Sequence, residues 1–259
     1  MEVKTMAEMM AEGKQPEVLF WVGSAGSYDD RAKKITRAFV KILYQANVNF
    51  AVLGTEESST GDAAKRAGNE FLFQMQAMTN IEILNAYEVK TIVTCDPHSF
   101  NTLKNEYPSL GGNYEVYHHT QFIKKLIDEE RLSLDNTRLK GKRVTFHDPC
   151  YLGRANEVYE SPRELIKRLG VNLTEMKRHK STALCCGAGG AQMFKEPEKG
   201  DKDINILRTE DALATKPQII ATGCPYCNTM MTDGIKFKEK ENQVYVKDVA
   251  ELIMEANNL

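Results

Sequence analysis

The sequence predicts an α/β fold made of two tandem related modules, each a mostly parallel sheet flanked by helices. Short apolar runs alternate with longer stretches of helical periodicity along the 259 residues, a pattern typical of parallel sheets covered by helices. The order of predicted elements in residues 18–126 recurs in residues 143–253, which indicates a duplicated module. Five of the six cysteines lie in the second half, at predicted strand ends or helix starts, and parallel sheets bind ligands at the carboxyl ends of their strands.

Eight apolar runs bounded by turn residues are predicted strands. They are Val18–Val22, Phe50–Leu53, Thr91–Thr94, Tyr114–Tyr117, Arg143–Phe146, Leu173–Met176, Gln218–Thr222 and Val244–Val246. Two helical patterns lie between the strands of the first half. The first has an apolar stripe formed by Ile35, Phe39, Ile42 and Leu43. The second is a long helix that we expect to begin near Asp62 and to carry Phe71, Phe73, Met75, Met78, Ile81 and Leu84.

The composition is typical of a soluble globular protein. Hydrophobic residues make up 42% of the chain, charged residues 27%, and the net charge is −2, so neither nucleic acid nor an anionic membrane is an expected partner. No apolar run approaches the roughly 20 residues that span a bilayer, and we expect no transmembrane segment. Residues 1–15 contain no apolar signal-peptide core. We therefore expect a cytoplasmic protein, peripheral to a membrane only through a partner.

Three regions are predicted along the chain. Residues 1–16 form an N-terminal extension, residues 17–130 the first module and residues 143–259 the second. The charged and polar stretch Asp128–Lys142 is the predicted linker. Both modules close with a strand followed by an apolar helix, YEVYHHTQFIKKLI in the first and QVYVKDVAELI in the second.

A spaced array of cysteines is the main functional signal. There are 34 residues between Cys150 and the adjacent pair Cys185 and Cys186, and 37 between that pair and the segment CPYC. Cytoplasmic cysteines stay reduced, and thiolates gathered in this way are the ligands of iron–sulfur clusters and of zinc. We therefore predict one metal cofactor bound by Cys150, Cys185, Cys186, Cys224 and Cys227.

Five soft ligands favour an iron–sulfur cluster over zinc. Structural zinc takes four ligands, usually from CxxC-like pairs, and adjacent cysteines suit such a pair poorly. There are two alternatives. One is a zinc site of four cysteines that leaves one thiol spare, and the other is a set of core cysteines that bind no metal. The backbone amides of Gly187–Gly190 are expected to donate hydrogen bonds to thiolates or sulfides. Arg154 and Lys180 are expected to add positive charge nearby, and His147 is either a hydrogen-bond donor to the centre, a proton carrier or an orienting group within its turn.

In the first module, other residue types occupy the positions that correspond to the five cysteines. With offsets of 126 to 128 residues, the five cysteines correspond to Ser24, Ser58, Ser59, Asp96 and Ser99. The alternative is coincidence, since serine is common in loops. Hydroxyls at neutral pH are poor ligands for soft metals, so we expect no cluster in the first module. Cys95 is expected to be a buried thiol at a strand end, with a replacement ligand as the alternative, and His118 and His119 are expected at a strand end.

Three segments carry a family resemblance: HDPCYLGR, LCCGAGG and CPYC. Together they resemble the cysteine-rich CCG domain, which occurs in heterodisulfide reductase and in iron–sulfur subunits of glycolate and lactate oxidation systems. The resemblance covers nearly the whole chain. It implies that the five cysteines hold a noncubane [4Fe–4S] cluster, one per chain because the first module departs from the pattern.

The resemblance implies a redox role within a larger enzyme. We expect an iron–sulfur subunit of an oxidoreductase similar to heterodisulfide reductase, with a flavin-containing or ferredoxin-like iron–sulfur subunit as partner and a membrane-associated, quinone-linked complex as a further association. The chain carries no CxxCxxC run and no GxGxxG fingerprint, so a second cofactor is expected from another chain. The alternatives are a stand-alone thiol–disulfide reductase and a non-enzymatic scaffold stabilised by zinc or a cluster. No catalytic residue is assigned.

Overall fold

The computed structural model describes residues 3–196 and 199–259 and contains two four-stranded sheets in which all neighbouring strands are parallel. The strands are β1 Val18–Trp21, β2 Phe50–Ala51, β3 Thr91–Thr94, β4 Glu115–His118, β5 Arg143–Phe146, β6 Asn172–Leu173, β7 Ile219–Thr222 and β8 Tyr245–Asp248. The strand order is β2-β1-β3-β4 in the first sheet and β6-β5-β7-β8 in the second. The same order in both halves confirms the predicted fold of two related α/β modules.

Helices connect the strands and cover the sheets. The described α-helices are α1 Met6–Ala11, α2 Gly23–Tyr28, α3 Ala32–Gln45, α4 Asp62–Arg66, α5 Glu70–Ala86, α6 Pro97–Asn101, α7 His119–Asp128, α8 Glu160–Arg168, α9 Ile204–Leu213, α10 Pro225–Phe237 and α11 Val249–Asn257. None of these described helices is long and apolar enough to cross a membrane. The linker predicted over residues 128–142 corresponds to the irregular segment between α7 and β5.

The long helix expected to begin near Asp62 is divided in two. Gly68 has a φ of +86°, a conformation that glycine adopts without steric cost, and the chain turns there between α4 and α5. Asn69 then caps α5, because its side chain accepts a hydrogen bond of 3.0 Å from the Leu72 amide. The apolar stripe of this helix also divides. Phe73, Ile81 and Leu84 are buried, whereas Phe71, Met75 and Met78 are exposed.

Six predicted strands differ from the structure at their ends. The expected runs 50–53 and 173–176 become the two-residue strands 50–51 and 172–173. The strands expected at 114–117 and 244–246 lie at 115–118 and 245–248, and the runs 18–22 and 218–222 are each one residue shorter than expected. In the first module the shortened strand, β2, is an edge strand, and so is β6 in the second. An edge strand pairs on one side only, so its length depends on the partner strand as well as on its own residues.

One hydrophobic core joins the two modules. The largest cluster of buried side chains contains Phe39 and Ile42 from α3 together with Leu252 and Ile253 from α11. The N-terminal segment packs on the first module, where Met6 and Met9 are buried and Thr5 forms a parallel bridge with Val52. The two sheets are therefore held in a fixed relation by apolar packing.

Buried polar contacts also connect the two modules. His119 Nε2 lies 2.9 Å from Asp248 Oδ1, with both side chains fully buried, and His118 Nε2 lies 3.0 Å from the carbonyl oxygen of Gly223. As expected, His118 ends a strand, and these contacts connect it and His119 to the other module. Both contacts lie at the carboxyl ends of strands, so the carboxyl edges of the two sheets face each other.

Candidate metal centre

The five predicted ligands converge at the carboxyl edge of the second sheet. All six cysteines lie among the described residues and are free thiols. The Sγ atoms of Cys150 and Cys185 are 4.0 Å apart, and those of Cys186 and Cys227 are 3.4 Å apart. Cys224 belongs to the same buried cluster. Cys150 follows β5 and Cys224 follows β7, the two adjacent strands at which the chain order of the sheet reverses, and such switch points bind ligands in α/β proteins.

Backbone amides hold two of the thiols. Cys224 is the N-cap of α10, and its Sγ accepts a hydrogen bond of 3.4 Å from the Cys227 amide. Pro225 occupies the first turn of that helix, as predicted. The amide of Gly187, which has a φ of +93°, donates to Cys185 Sγ at 3.3 Å. The expected contribution of the glycine-rich loop is therefore present at Gly187.

The thiols affect each other's ionisation strongly. Hydrogen bonds from Cys150 and Cys186 lower the pKa of the Cys185 thiol well below its usual range. The contact with Cys185 and burial raise the pKa of Cys150, and the contact with Cys185 also raises that of Cys186. One thiolate is thus favoured and further ones are opposed. Several ionised thiolates need a bound cation, so the donor set suits a metal centre.

His147 and Arg208 present two buried donors at this site. Arg208 Nε donates to His147 Nδ1 at 2.9 Å. A guanidinium has no acceptor, so Nδ1 carries no proton and the hydrogen of the neutral ring is on Nε2. Burial and the adjacent Arg208 lower the pKa of His147 to about 3, which keeps the ring neutral.

One N–H group of each of these two side chains lacks a partner within the described chain. His147 Nε2 and Arg208 Nη2 are buried and make no hydrogen bond to a described residue. A ring nitrogen of His147 and the sulfurs of Cys186 and Cys227 lie within 4.8 Å of one another. Buried polar groups are nearly always paired, so the unpaired Nε2–H of His147 fits an electron-rich group held by the cysteines.

The turn before Cys150 is fixed by a buried ion pair. Arg163 donates to both carboxylate oxygens of Asp148, at 2.7 and 2.8 Å, and both side chains are buried. Asp148 also accepts from the backbone amide of Lys180 at 2.8 Å. Sequence reasoning missed Arg163, because it lies within the pattern of an ordinary amphipathic helix.

Two cations expected near the centre have other partners. Arg154 donates to the carbonyl oxygen of Ala183 at 2.9 Å and so holds the loop that precedes Cys185. The ammonium group of Lys180 pairs with Glu160 at 2.6 Å, and both side chains are exposed. Cys95 lies in the core shared by the modules, apart from the buried cluster of the other cysteines.

The corresponding positions of the first module line one cavity of about 200 Å³. Its wall includes Ser24, Ser58, Ser59, Asp96 and Ser99. Sequence reasoning missed His98, which also lines the cavity and lies 128 residues before Tyr226, the offset already found for Asp96 and Ser99. The centroid of the His98 ring is 5.6 Å from that of Tyr226 and 4.4 Å from that of Tyr151. The two pseudo-equivalent sites therefore meet at these rings.

Comparison with known families agrees with the duplicated cysteine pattern. The family described as "CCG: Cysteine-rich domain" matches the chain twice, at residues 18–104 and 144–232. The chain is a member of the cysteine-rich CCG domain family. The two matches contain the first-module positions and the five cysteines respectively, so the family covers both halves of the site.

Several curated relatives are described as redox proteins. The chain is 51% identical over 256 residues to "Probable iron-sulfur-binding oxidoreductase FadF" of Bacillus subtilis, and 44% identical over 261 residues to "EtfAB:quinone oxidoreductase" of Syntrophomonas wolfei. Each match covers 98% of this chain and 36% of the relative. It is also 32% identical to a subunit of the heterodisulfide reductase of Methanosarcina mazei, over 94% of this chain and 59% of that relative. The chain thus spans about a third to three fifths of the length of these relatives.

Proposed function

We propose that the chain is the part of a larger oxidoreductase that carries electrons through one [4Fe–4S] cluster of the noncubane type. The observation that carries this proposal is the convergence of five cysteines beside the buried and unpaired Nε2–H of His147. The ligands are Cys150, Cys185, Cys186, Cys224 and Cys227. The first module binds no cluster, because serine hydroxyls are poor ligands for iron.

The surrounding residues are suited to hold and tune such a centre. When bound, an iron–sulfur cluster supplies one-electron transfer, and its potential depends on hydrogen bonds to sulfur and on exposure to solvent. Cys186, Cys224 and Cys227 are almost fully buried, which excludes water from that side. The Gly187 amide donates to Cys185, and the His147 ring, whose Nε2–H is buried and unpaired within the described residues, has a nitrogen within 4.8 Å of the sulfurs of Cys186 and Cys227. Their role is to stabilise negative charge on sulfur.

The partner is proposed to be a flavin-containing or ferredoxin-like subunit or domain. Disulfide or quinone reduction requires two electrons, and the sequence of this chain carries ligands for one centre only. The relative from Syntrophomonas wolfei is described as an oxidoreductase that acts between EtfAB and a quinone, which supports a partner protein on one side of the electron path. Electron exchange with this chain is proposed to take place at the surface near Gly187, where the neighbouring Ile204 is exposed.

Substitutions at equivalent positions of the two modules test the asymmetry of the site. Changing Cys186 or Cys224 to Ser should remove most of the iron, because a buried hydroxyl replaces a soft thiolate ligand. Changing Ser59 or Ser99 to Ala should leave the iron content near that of the wild type. Iron and sulfide analysis of anaerobically purified variants measures both. Equal loss of iron in the serine variants would instead indicate a metal shared by the two modules.

Substitution of His147 tests the assignment of its Nε2–H as a donor. His147→Leu should lower the reduction potential by on the order of tens of millivolts, because an N–H group facing sulfur stabilises the more negative reduced state. Iron content should be retained, since a protonated nitrogen is not a ligand. His147→Gln keeps an N–H donor and is the matched control, with a potential closer to that of the wild type. Potentiometric titration with iron analysis makes the measurement. Iron loss in both variants as severe as in Cys186→Ser would show that His147 is a ligand.

The dependence on a partner is testable by steady-state assay. The purified chain should be reduced by dithionite but should turn over a disulfide or a quinone slowly, because one centre delivers one electron at a time. Activity should rise when a flavin-containing or ferredoxin-like protein recovered by anaerobic affinity pull-down is added. Rapid multiple turnover by the chain alone, with no flavin bound, would favour a stand-alone reductase.

A further inference from the structure

His98 of the first module contacts every segment that carries the cysteine ligands. It lies on α6, directly after β3. The centroid of its ring is 4.4 Å from that of Tyr151, in HDPCYLGR, and 5.6 Å from that of Tyr226, in CPYC. In the third segment, LCCGAGG, a side-chain carbon at Gly189 would lie 3.6 Å from His98 Cε1. The three ligand segments of the second module therefore converge on one ring of the first.

This ring carries a positive charge, because a carboxylate holds its proton. His98 Nδ1 lies 2.8 Å from Asp62 Oδ2, and both side chains are only 12% exposed. Burial disfavours the charged ring, but the hydrogen bond with Asp62 and the charge of Asp96 outweigh burial and raise the pKa of His98 to about 9. The charge of a Cys224 thiolate also raises the pKa of His98, so the ring and that ligand interact electrostatically.

The charges around His98 are balanced while its ring is protonated. Six charged side chains of the first module form one network of contacts, three of each sign: Asp62, Asp96, Glu106, Lys65, Arg66 and His98. Asp62 contacts Arg66 as well as His98, and Asp96 accepts a hydrogen bond of 2.9 Å from the backbone amide of His98. A neutral ring would leave this network with one net negative charge beside the cysteines. Such a charge would oppose the arrival of an electron.

We propose that the charged ring of His98 stabilises the reduced state of the metal centre and so raises its reduction potential, an inference that rests on the proposed function of that centre. The residues through which the ring contacts the ligand segments, Tyr151, Gly189 and Tyr226, are uncharged, and the ring is largely buried, so water and salt screen the interaction weakly. The second module carries the uncharged Tyr226 at the position equivalent to His98. The cation that tunes the centre is therefore supplied by the module that lacks the ligands.

Substitutions of His98 separate the effect of its charge from that of its packing. His98→Gln and His98→Tyr both remove the charge; the first keeps an N–H donor for Asp62, and the second keeps an aromatic ring. Each should lower the equilibrium constant for one-electron reduction about tenfold, the equivalent of about 59 mV. His98→Arg keeps the charge and should have a potential close to that of the wild type. Potentiometric titration of the anaerobically purified variants, with iron analysis of each, makes the measurement.

Arg131→Gln is the matched control, because it also removes one cation of an ion pair. Arg131 pairs with Glu17 at 2.6 Å, directly before β1 and so at the sheet edge opposite to the cysteines, and its loss should leave the potential unchanged.

Three results would overturn the proposal. The first is an unchanged potential in the two neutral variants, and the second is an equal shift in the neutral variants and in His98→Arg. The third is a loss of iron in the neutral variants as severe as in Cys186→Ser, which would show that the ring is needed to bind the metal. A wild-type chain without iron would refute the proposed function and this inference together, whereas unchanged potentials in iron-containing variants would refute this inference alone.

Discussion

The facing carboxyl edges of the two parallel sheets determine where every functional side chain lies. Parallel strands end at one edge, so loops that are distant in sequence meet there. The shared core formed by α3 and α11 and the buried contact of His119 with Asp248 fix the two edges in place. Cys150 and Cys224, which are 74 positions apart in sequence, thereby join one buried group of thiols, and the counterpart cavity lies next to it.

The two modules have the same order of strands but carry different functional side chains at equivalent positions. In the second module, buried thiols lie beside the His147 ring, whose hydrogen the Arg208 contact fixes on Nε2, a set suited to negative charge on sulfur. In the first module the equivalent positions carry hydroxyls and a carboxylate, and hydrogen bonds within the module satisfy the carboxylate. His98 and Tyr226, at equivalent positions, are in contact across the pseudo-symmetry. The two sites are thus neighbours, separated by side chains rather than by the body of a module.

Features that depend on local pattern and on repetition were predictable from the sequence. Alternating apolar runs indicated the strands, and the offset between the halves located the five first-module positions that line the cavity. Features that depend on distant partners were not predictable. The tautomer of His147, for example, is set by Arg208, which lies 61 residues away in the sequence. The break at Gly68 was missed because every apolar residue assigned to the long helix lies after it, so their spacing carried no information about where the helix begins.

A four-iron cluster on the five cysteines has a distinctive elemental composition. The deciding experiment is therefore the iron, zinc and acid-labile sulfide content of the wild-type chain, made under iron-replete conditions and purified without oxygen. We expect brown protein with about four iron and four sulfide per chain, the content of a single four-iron cluster. Stoichiometric zinc without acid-labile sulfide would contradict the cluster and would show that the cysteines form a zinc site.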